Sequence, residues 1–401
     1  MPTRRTILKL AAAPLLLGRA PLVRAAAPRV VVVGAGAFGG WTAWWLARRG
    51  AEVTLIDAWG PGNMRASSGG ETRVIRGSYG DRVIYTRMAA RALQLWRERE
   101  RDWGRRLYVP TGGLWMFGKD DTFARNSLNA LTAEGLPAER PPVEDARRRW
   151  PQIDFDGISS LMFEPEAGYL LARQSCAEVV ERARALGVRW RIGAARLLGE
   201  QSRAMTRLNL EGGGDLTADI YVFACGPWLG RLFPDVIGSR VRPTRQTTFY
   251  FGAPAGDPRF QEEQLPVWVD YRDRLIYGIP GNAHRGFKLA DDTLGSDFDP
   301  TSGERAITEA EVADARAFLK QRFPALASAP MLGGEVCQYE NSPDAHFIVD
   351  RHPAAPNVWI VGGGSGHGFK MGPAFGEMVA GLVLSDGTPD AQLRLSRFDK
   401  K

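Results

Sequence analysis

The chain has 401 residues, which is long enough for two joined domains and too long for one small core. Apolar residues make up 44% and charged residues 24%, which argues against a disordered chain and against a polytopic membrane protein. The formal net charge is +7, but five positive charges and no acidic residue lie within residues 1–27, so +2 remains for the rest. A basic stripe of the kind that binds nucleic acid is therefore not expected.

The first 27 residues have the pattern of an export signal. The arginine pair Arg4-Arg5 precedes a short apolar run from Leu10 to Leu17, and small residues follow around Ala25. This run is far shorter than the about 20 residues that span a bilayer. We therefore expect a signal peptide cleaved after Ala25 and no stable membrane anchor. The paired arginines resemble a twin-arginine signal, which predicts export to the periplasm.

A β-α-β unit follows the leader. Arg29–Val33 predicts a buried parallel strand, Trp41–Arg49 a helix and Glu52–Asp57 a second strand. The pattern Gly34-x-Gly36-x-x-Gly39 lies between the first strand and the helix. Its glycines allow a tight turn, a close approach of a pyrophosphate and close packing of the helix on the strand. Asp57, at the end of the second strand, is placed to accept ribose hydroxyls. The unit predicts a dinucleotide site.

The rest of the chain alternates predicted helices and strands. Residues 65–76 predict a loop with a short helix. Further helices are predicted at Val83–Trp103, Gln174–Leu186, Glu309–Phe323 and from the end of the 362–370 loop to about Ser385. Strands are predicted at Gly113–Phe117, Ile220–Gly226, Arg245–Phe251, Pro266–Asp270, Leu275–Ile279 and Val358–Val361.

Parallel-type strands at both ends with antiparallel strands between them predict an α/β fold of two interleaved domains. We expect a Rossmann-like nucleotide domain from residues 28–111, 167–240 and 340–401. An antiparallel-sheet substrate domain is expected from residues 112–166 and 241–339.

A second glycine-rich loop favours FAD over NAD as the cofactor. Gly362–Gly368 follows a predicted buried strand near the far end of the chain. A nicotinamide dehydrogenase has no need of such a loop, whereas the flavin end of the longer FAD molecule needs a second set of backbone contacts. A plain connector between strand and helix is the alternative.

Cysteines and histidines give no sign of a metal site. The three cysteines, Cys176, Cys225 and Cys337, are widely spaced and form neither a disulfide framework nor a metal cluster. The four histidines lack the spacing of metal ligands. We expect no metal, with Cys176 and Cys225 in the core.

Four ordered stretches resemble the monomeric sarcosine oxidase family, of the glycine and D-amino-acid oxidase superfamily. They are Ser67–Arg76, Tyr277–Pro280 with Lys288, Cys337–Tyr339 with His346–Asp350, and Gly364–Lys370. The similarity runs from about residue 28 to the C-terminus. It implies an FAD-dependent oxidase of a secondary amine or N-substituted amino acid, working as a monomer. Hydride transfer from the C–N carbon to flavin N5 would give an imine, and molecular oxygen would then yield hydrogen peroxide.

The resemblance also implies roles for residues. Arg76 and Lys370 would grip the substrate carboxylate, Tyr277 and Tyr339 would line the site, and Lys288 would promote the reaction with oxygen. Cys337 matches the cysteine that attaches FAD through a thioether. Residues expected to contact the cofactor are Gly34, Gly36, Gly39, Asp57, Ser67, Ser68, Thr72, Arg73, Cys337, Gly364, Gly366, His367, Gly368 and Lys370.

Two departures from the family pattern put the substrate in doubt. Gly69 and Asp292 stand where the family has histidines, so the pocket should differ in size and charge. Trp268 belongs either to the pocket wall or to the packing of a strand. Two other functions stay open: a dehydrogenase that passes electrons to a carrier, and a flavin-binding subunit without turnover.

Overall fold

The computed structural model describes residues 26–197 and 203–399. The predicted signal peptide therefore lies outside the described residues, apart from its last two. Within the described ranges, no helix combines the length and the apolar character that crossing a membrane requires.

The described residues form nineteen strands and nine α-helices. The strands are β1 (Arg29–Val33), β2 (Glu52–Asp57), β3 (Thr72–Ile75), β4 (Tyr108–Val109), β5 (Gly113–Phe117), β6 (Ser160–Glu164), β7 (Gly168–Leu171), β8 (Arg189–Ile192), β9 (Ala195–Arg196), β10 (Leu208–Leu210), β11 (Asp215–Leu216), β12 (Ile220–Phe223), β13 (Arg242–Phe251), β14 (Val267–Tyr271), β15 (Leu275–Ile279), β16 (Phe287–Asp291), β17 (Met331–Asn341), β18 (Ile348–His352) and β19 (Ala355–Gly362). The helices are α1 (Ala37–Arg48), α2 (Val83–Trp103), α3 (Thr122–Ala133), α4 (Val143–Arg149), α5 (Ala172–Ala185), α6 (Leu229–Leu232), α7 (Pro234–Ile237), α8 (Glu309–Arg322) and α9 (Gly372–Ser385).

A six-stranded sheet carries the first glycine loop (residues 34–39). Its order is β18-β19-β12-β1-β2-β8, and every pair is parallel except β18 with β19. Strand β1 lies inside the sheet, which explains its continuous run of valines. Helix α1 buries Trp41, Trp44 and Trp45. It begins at Ala37, four residues before the predicted start, so the glycine loop leads directly into its first turn.

A seven-stranded sheet, in the order β17-β13-β16-β15-β14-β5-β6, is antiparallel except for the β14–β5 pair. One face packs against α8. On that face Trp268 is fully buried, with its ring 5.7 Å from that of Phe318 and 4.7 Å from that of Phe323. Trp268 is thus a packing residue and not part of a pocket wall.

The opposite face of this sheet carries the polar side chains. Lys288 pairs with Tyr250, Tyr277 with Ala290, Cys337 with Gln246 and Tyr339 with Thr244. Alternate residues of a strand share a face, and paired residues of neighbouring strands point the same way. The register therefore gathers Lys288, Tyr277, Cys337 and Tyr339 on one surface.

The segment 65–76 differs from its prediction. It contains strand β3, which pairs with β7 in a three-stranded sheet of order β3-β7-β4, and no helix. The β-branched residues Thr72, Val74 and Ile75 favour this extended pairing. The other three-stranded sheet has the order β11-β10-β9.

The predicted α/β class and the two kinds of sheet are confirmed. The strands of the seven-stranded sheet come from the two segments assigned to the substrate domain, and β17 extends two residues beyond the expected boundary at 339. The domain boundaries themselves stay a prediction.

Candidate active site

A cavity of about 480 Å³ lies at the carboxyl ends of β1, β2 and β12. It also receives residues from β17 and from the distal glycine loop (residues 362–370). Of the residues expected to bind a cofactor, those that line it are Gly34, Gly36, Asp57, Ser67, Ser68, Arg73, Gly364, Gly366 and Gly368. The fold thus brings together segments that are far apart in the sequence.

The first glycine loop has no room for side chains. Gly34 has φ +105°, and a Cβ there would lie 2.2 Å from the carbonyl oxygen of Ala224. A Cβ on Gly39 would lie 1.9 Å from the carbonyl oxygen of Gly34. Because these two positions are glycines, the start of α1 can pack closely against the end of β12. The backbone N–H groups of this helix start therefore border the cavity, as the binding of a pyrophosphate requires.

Asp57 fastens the same loop from the neighbouring strand. Its Oδ2 accepts a hydrogen bond from the Ala35 N–H at 2.8 Å, and its Oδ1 accepts from the N–H groups of Trp59 and Gly60. Burial raises the pKa of Asp57, while these three donors oppose the shift. The acid predicted for the ribose thus also positions the glycine loop.

Arg73 supports the wall formed by residues 66–73. Its guanidinium donates to the carbonyl oxygens of Thr72 and Ser67, each at 2.9 Å. A Cβ on Gly70 would lie 2.2 Å from Nη1 of Arg73, so glycine at this position makes room for the cation.

Glu340 is a cavity residue that the sequence reasoning missed. It is 6% exposed, and its Oε1 accepts from the Gly364 N–H at 3.0 Å. Its Oε2 has no partner among the described residues, and burial raises its pKa to about 7. The sequence could have indicated Glu340 through its position directly after Tyr339, in a strand that carries other predicted site residues.

The polar atoms of this region fit FAD. Ser67 Oγ, Thr72 Oγ1 and Glu340 Oε2 are buried and lack partners within the described part of the chain. Unpaired buried polar groups are costly, so they fit a ligand rich in hydroxyl, amide and carbonyl groups. The helix start and the two glycine loops all border this one cavity, where their backbone groups can contact the ligand.

Two cations meet beside this cavity. Lys370 is buried, and its Nζ donates to the Tyr79 hydroxyl at 3.0 Å and to the carbonyl oxygen of His367 at 2.9 Å. The Arg76 guanidinium lies 4.4 Å from the centre of the Tyr79 ring and donates to the carbonyl oxygen of Ser78. Burial, assisted by the charge of Arg76, holds the pKa of Lys370 well below its usual range. An anion bound here would relieve the repulsion between them.

Tyr339, Asp292 and Lys288 lie on the face of the seven-stranded sheet opposite α8, and Tyr339 is the one of these three that lines the cavity. The Tyr339 hydroxyl donates to Asp292 Oδ1 at 2.6 Å. Burial raises the pKa of Asp292 to about 6. Lys288 is buried and donates to the carbonyl oxygen of Thr72 at 2.9 Å. Burial and the charge of Arg73 lower the pKa of Lys288 to about 7.

Tyr79 and Glu164 are further members that the sequence reasoning missed. Glu164 accepts hydrogen bonds from the Gly77 N–H at 2.7 Å, from the Ser78 hydroxyl at 2.5 Å and from Trp115 Nε1 at 2.9 Å. It thereby shapes the turn that follows Arg76. Tyr79 could have been found from its place three residues after Arg76. Glu164 comes from a distant strand and carries no sequence signal.

The structure places several other residues differently from expectation. The His367 side chain does not line the cavity; it contacts the Tyr79 hydroxyl at 3.3 Å and the Ala345 carbonyl oxygen at 3.0 Å. Cys225, expected in the core, lines the cavity, whereas Cys176 is buried as expected. Cys337 is half-buried and does not line the cavity.

The Gly69 departure also has a different consequence from the one expected. A Cβ on Gly69 would lie 2.0 Å from the carbonyl oxygen of Asn63, so this position faces the backbone of its own loop. Within this backbone geometry, glycine at 69 does not enlarge the pocket. No group of histidines, cysteines and acids in the described ranges could hold a metal ion.

A β-α-β glycine loop, a second glycine loop and unpaired polar groups between them define a flavin-dependent oxidoreductase. The family model described as "FAD dependent oxidoreductase" matches residues 29–382, and the chain belongs to this family. The cofactor is therefore FAD, and the predicted family membership is confirmed.

The comparisons with individual proteins agree with this assignment. The chain is 30% identical to a monomeric sarcosine oxidase of Streptomyces avermitilis over 364 residues, which is 90% of this chain and 94% of that protein. It is 28% identical to an N-methyl-L-tryptophan oxidase of Salmonella arizonae over 388 residues, covering 92% and 99% of the two chains. The crystal structure of L-proline dehydrogenase from P. horikoshii has a TM-score of 0.81 at 21% identity, with 93% and 98% of the chains covered.

Proposed function

We propose that this enzyme is an oxidase of N-substituted amino acids. The observation that carries the proposal is the pair of cations, Arg76 and Lys370, assembled around Tyr79 at the edge of the FAD site. Lys370 is buried and Arg76 is partly buried, and such a pair suits a carboxylate. Similarity to a monomeric sarcosine oxidase and an N-methyl-L-tryptophan oxidase supports a substrate with a substituted α-nitrogen.

The residues of the site bind and orient the substrate. Arg76 offers a planar fork to the carboxylate, and Lys370 adds a point charge on a side chain already fixed by two hydrogen bonds. Fixing the carboxylate at two cations restricts the orientation of the α-carbon, which is the main contribution of a protein to such chemistry. When bound, FAD supplies the hydride acceptor and the reaction with oxygen.

The test is anaerobic reduction of the flavin by a panel of N-methyl and cyclic amino acids, followed by measurement of peroxide after oxygen is admitted. We expect bleaching of the flavin and about one peroxide per imine formed. Bleaching without peroxide would favour the dehydrogenase, a class to which the neighbour from P. horikoshii belongs. If no amine bleached the flavin, the remaining alternative would be a flavin-binding subunit without turnover.

We also propose that Cys337 holds FAD covalently through a thioether. Cys337 lies on the same sheet face as Lys288 and Tyr339. The thioether forms when the sulfur replaces one hydrogen of the flavin 8α methyl group. The thiol hydrogen and the methyl hydrogen leave with two electrons, which reduce oxygen to hydrogen peroxide.

Acid precipitation tests this attachment. The yellow colour should stay with the protein in the unmodified enzyme and in the Cys176→Ser and Cys225→Ser variants, and it should be released from Cys337→Ser. Full release of the flavin from the unmodified enzyme would contradict the proposal.

Two further proposals concern the setting of the enzyme. We propose that residues 1–27 direct export through the twin-arginine route, and that the enzyme acts as a monomer without a membrane anchor. Export should fail when Arg4 and Arg5 are both replaced by lysine. Persistent appearance of this variant in the periplasm would contradict the route, and a dimer in sedimentation experiments would contradict the monomer.

A further inference from the structure

Asp292 places a negative charge in a site that otherwise presents cations to the substrate. It follows β16 directly, and its backbone N–H donates to the carbonyl oxygen of Leu275 at 2.8 Å. The Tyr339 hydroxyl donates to its Oδ1 at 2.6 Å. The backbone bond and the tyrosine together fix the carboxylate on the face of the seven-stranded sheet that also carries Lys288 and Tyr339.

No ion pair holds this carboxylate among the described residues, although the charges of Arg76 and Lys370 favour its ionised form. Within the part of the chain that the structure describes, no lysine or arginine forms an ion pair with Asp292, whereas its neighbour Asp291 pairs with Arg274 at 2.8 Å. The charged and titratable groups that act on it are Tyr339 from β17, Tyr277 from β15, Arg76 and Tyr79 from the segment after β3, Lys370 from the distal loop and Asp291 from its own strand.

The charges of the site are therefore divided into two poles. Arg76 and Lys370 form the positive pole, and Asp292 with its tyrosine forms the negative one. A partly buried carboxylate is stabilised by a cationic donor, because a charge-assisted hydrogen bond offsets the loss of water. An amino acid in solution carries a carboxylate and an ammonium group, which match these two poles.

We propose that Asp292 is the subsite for the protonated amine of the substrate, so that this enzyme takes up N-substituted amino acids as zwitterions. The proposal rests on the proposed function and adds the form in which the substrate binds. Asp292 is a binding residue here, and Tyr339 positions it. Because a nearby negative charge favours a protonated amine, Asp292 also sets the pH at which the bound amine loses its proton.

The pH dependence follows from the pKa of Asp292, which burial raises to about 6. Above this pH the carboxylate is ionised and attracts the ammonium group. As the pH falls through about 6, the carboxylate becomes neutral and the affinity for the zwitterion should fall. A carboxylate ligand without an amine should show the opposite trend, since its own negative charge no longer faces an ionised acid.

The experiment compares two matched pairs of ligands in the holoenzyme. N-methylglycine is paired with (methylthio)acetate, and L-proline with tetrahydrothiophene-2-carboxylate; in each pair sulfur replaces the amine nitrogen. Changes in flavin absorbance give the affinity for the sulfur ligands. The concentration dependence of anaerobic flavin reduction gives the affinity for the amines.

Asp292→Asn should weaken binding of the amines by roughly 10- to 100-fold above pH 6, the range expected for one charge-assisted hydrogen bond. It should leave the sulfur ligands unchanged or tighter, and it should shift the pH profile of flavin reduction to lower pH. Asp291→Asn is the matched control: Asp291 is paired with Arg274, and its charge is the last of the causes that act on the pKa of Asp292, so this variant should keep the difference in affinity between amine and sulfur ligands. Asp292→Glu retains the charge and should retain the pH trend.

Equal losses for amine and sulfur ligands in Asp292→Asn, or an unchanged pH profile, would overturn the inference. An unmodified enzyme that binds the amines no more tightly than the sulfur ligands would do the same. These outcomes are distinct from failure of the proposed function, in which no N-substituted amino acid of the wider panel reduces the flavin.

Discussion

Lys288 is a buried lysine whose pKa lies far below that of an exposed lysine. Its Nζ is enclosed and donates to the Thr72 carbonyl oxygen, and its pKa is lowered to about 7, first by burial and then by the charge of Arg73. A lysine whose pKa is lowered is protonated below that pH and loses its charge as the pH rises through it. Any step that depends on the charge of Lys288 should therefore weaken above about pH 7.

We predict that reoxidation of the reduced flavin by oxygen slows as the pH rises through about 7. Lys288→Met should remove this dependence and slow reoxidation by roughly 100-fold, because a preorganised charge in a water-poor site is lost. Rapid mixing of the reduced enzyme with oxygen measures the rate. Flavin reduction by substrate checks that the variant is folded, and Lys320→Met, on the exposed side of α8, is the control. Reoxidation at an unchanged rate in Lys288→Met would contradict the role.

At the scale of single residues, the sequence motifs identified the cations of the site, but they did not identify the acidic residues that shape it. Arg76 and Lys370 stand in two matched motifs, whereas Glu164 and Glu340 belong to none. Their roles depend on atoms from distant segments: Glu164 accepts from Gly77, and Glu340 accepts from Gly364. His367 shows the reverse case, since it stands inside a motif but contacts the Ala345 carbonyl oxygen and does not line the cavity.

At the scale of elements, the turn from β1 to α1 requires glycine, because the backbone of a neighbouring strand occupies the position where a Cβ atom would lie. Gly34 combines φ +105° with a Cβ position 2.2 Å from the Ala224 carbonyl oxygen. Gly333, in β17, is the contrasting case, because a Cβ there would meet nothing within 4 Å and its φ is not in the left-handed region. The two glycines make a matched pair of sites for substitution by alanine.

We predict that Gly34→Ala lowers the free energy of unfolding by about 1–3 kcal/mol through overpacking, and that it reduces the FAD content. Gly333→Ala should stay within about 0.5 kcal/mol of the unmodified enzyme. Denaturant unfolding and flavin absorbance measure the two effects. If Gly34→Ala were as stable and as rich in FAD as Gly333→Ala, the close contact between β1 and β12 would not be important for binding.

At the scale of the whole molecule, the FAD cavity connects the two large sheets. Gly34 and Ala224 lie at strand ends of the six-stranded sheet, whereas Tyr339 and Glu340 belong to the seven-stranded one, and all four line the cavity. A ligand that binds only the folded state stabilises it by mass action, by about 2.7 kcal/mol at a hundredfold excess over its Kd. FAD bound between the sheets should therefore stabilise the whole chain.

We predict that the Cys337→Ser enzyme, stripped of FAD, unfolds at a lower temperature than the same protein with FAD restored. The difference should grow with the concentration of added FAD. Calorimetry of both forms measures it, and riboflavin, which lacks the adenine nucleotide, serves as a weaker ligand for comparison. Identical unfolding temperatures at every FAD concentration would show that the cavity does not bind FAD tightly in the folded enzyme.

The sequence by itself determined the nucleotide-binding unit and the class of enzyme. Strand β1 and strand β2 have the predicted bounds, because runs of β-branched residues and glycines act locally, through burial and backbone freedom. The sequence also predicted a helix within residues 65–76 where β3 forms, since pairing with β7 is not a local property.

Only the tertiary structure decided how the charges of the site are arranged. The register of the seven-stranded sheet places Lys288 of β16 and Asp292, which follows β16, on the same surface as Tyr339 of β17, although β16 and β17 are far apart in the sequence. Lys370 donates a hydrogen bond to the hydroxyl of Tyr79, which lies 291 residues earlier in the sequence. Burial then shifts the pKa values of these groups. The burial of a side chain depends on all the segments that surround it, and the sequence around one residue does not reveal them. The chemistry of the dinucleotide site is thus local, whereas the polarity of the substrate site is a property of the whole fold.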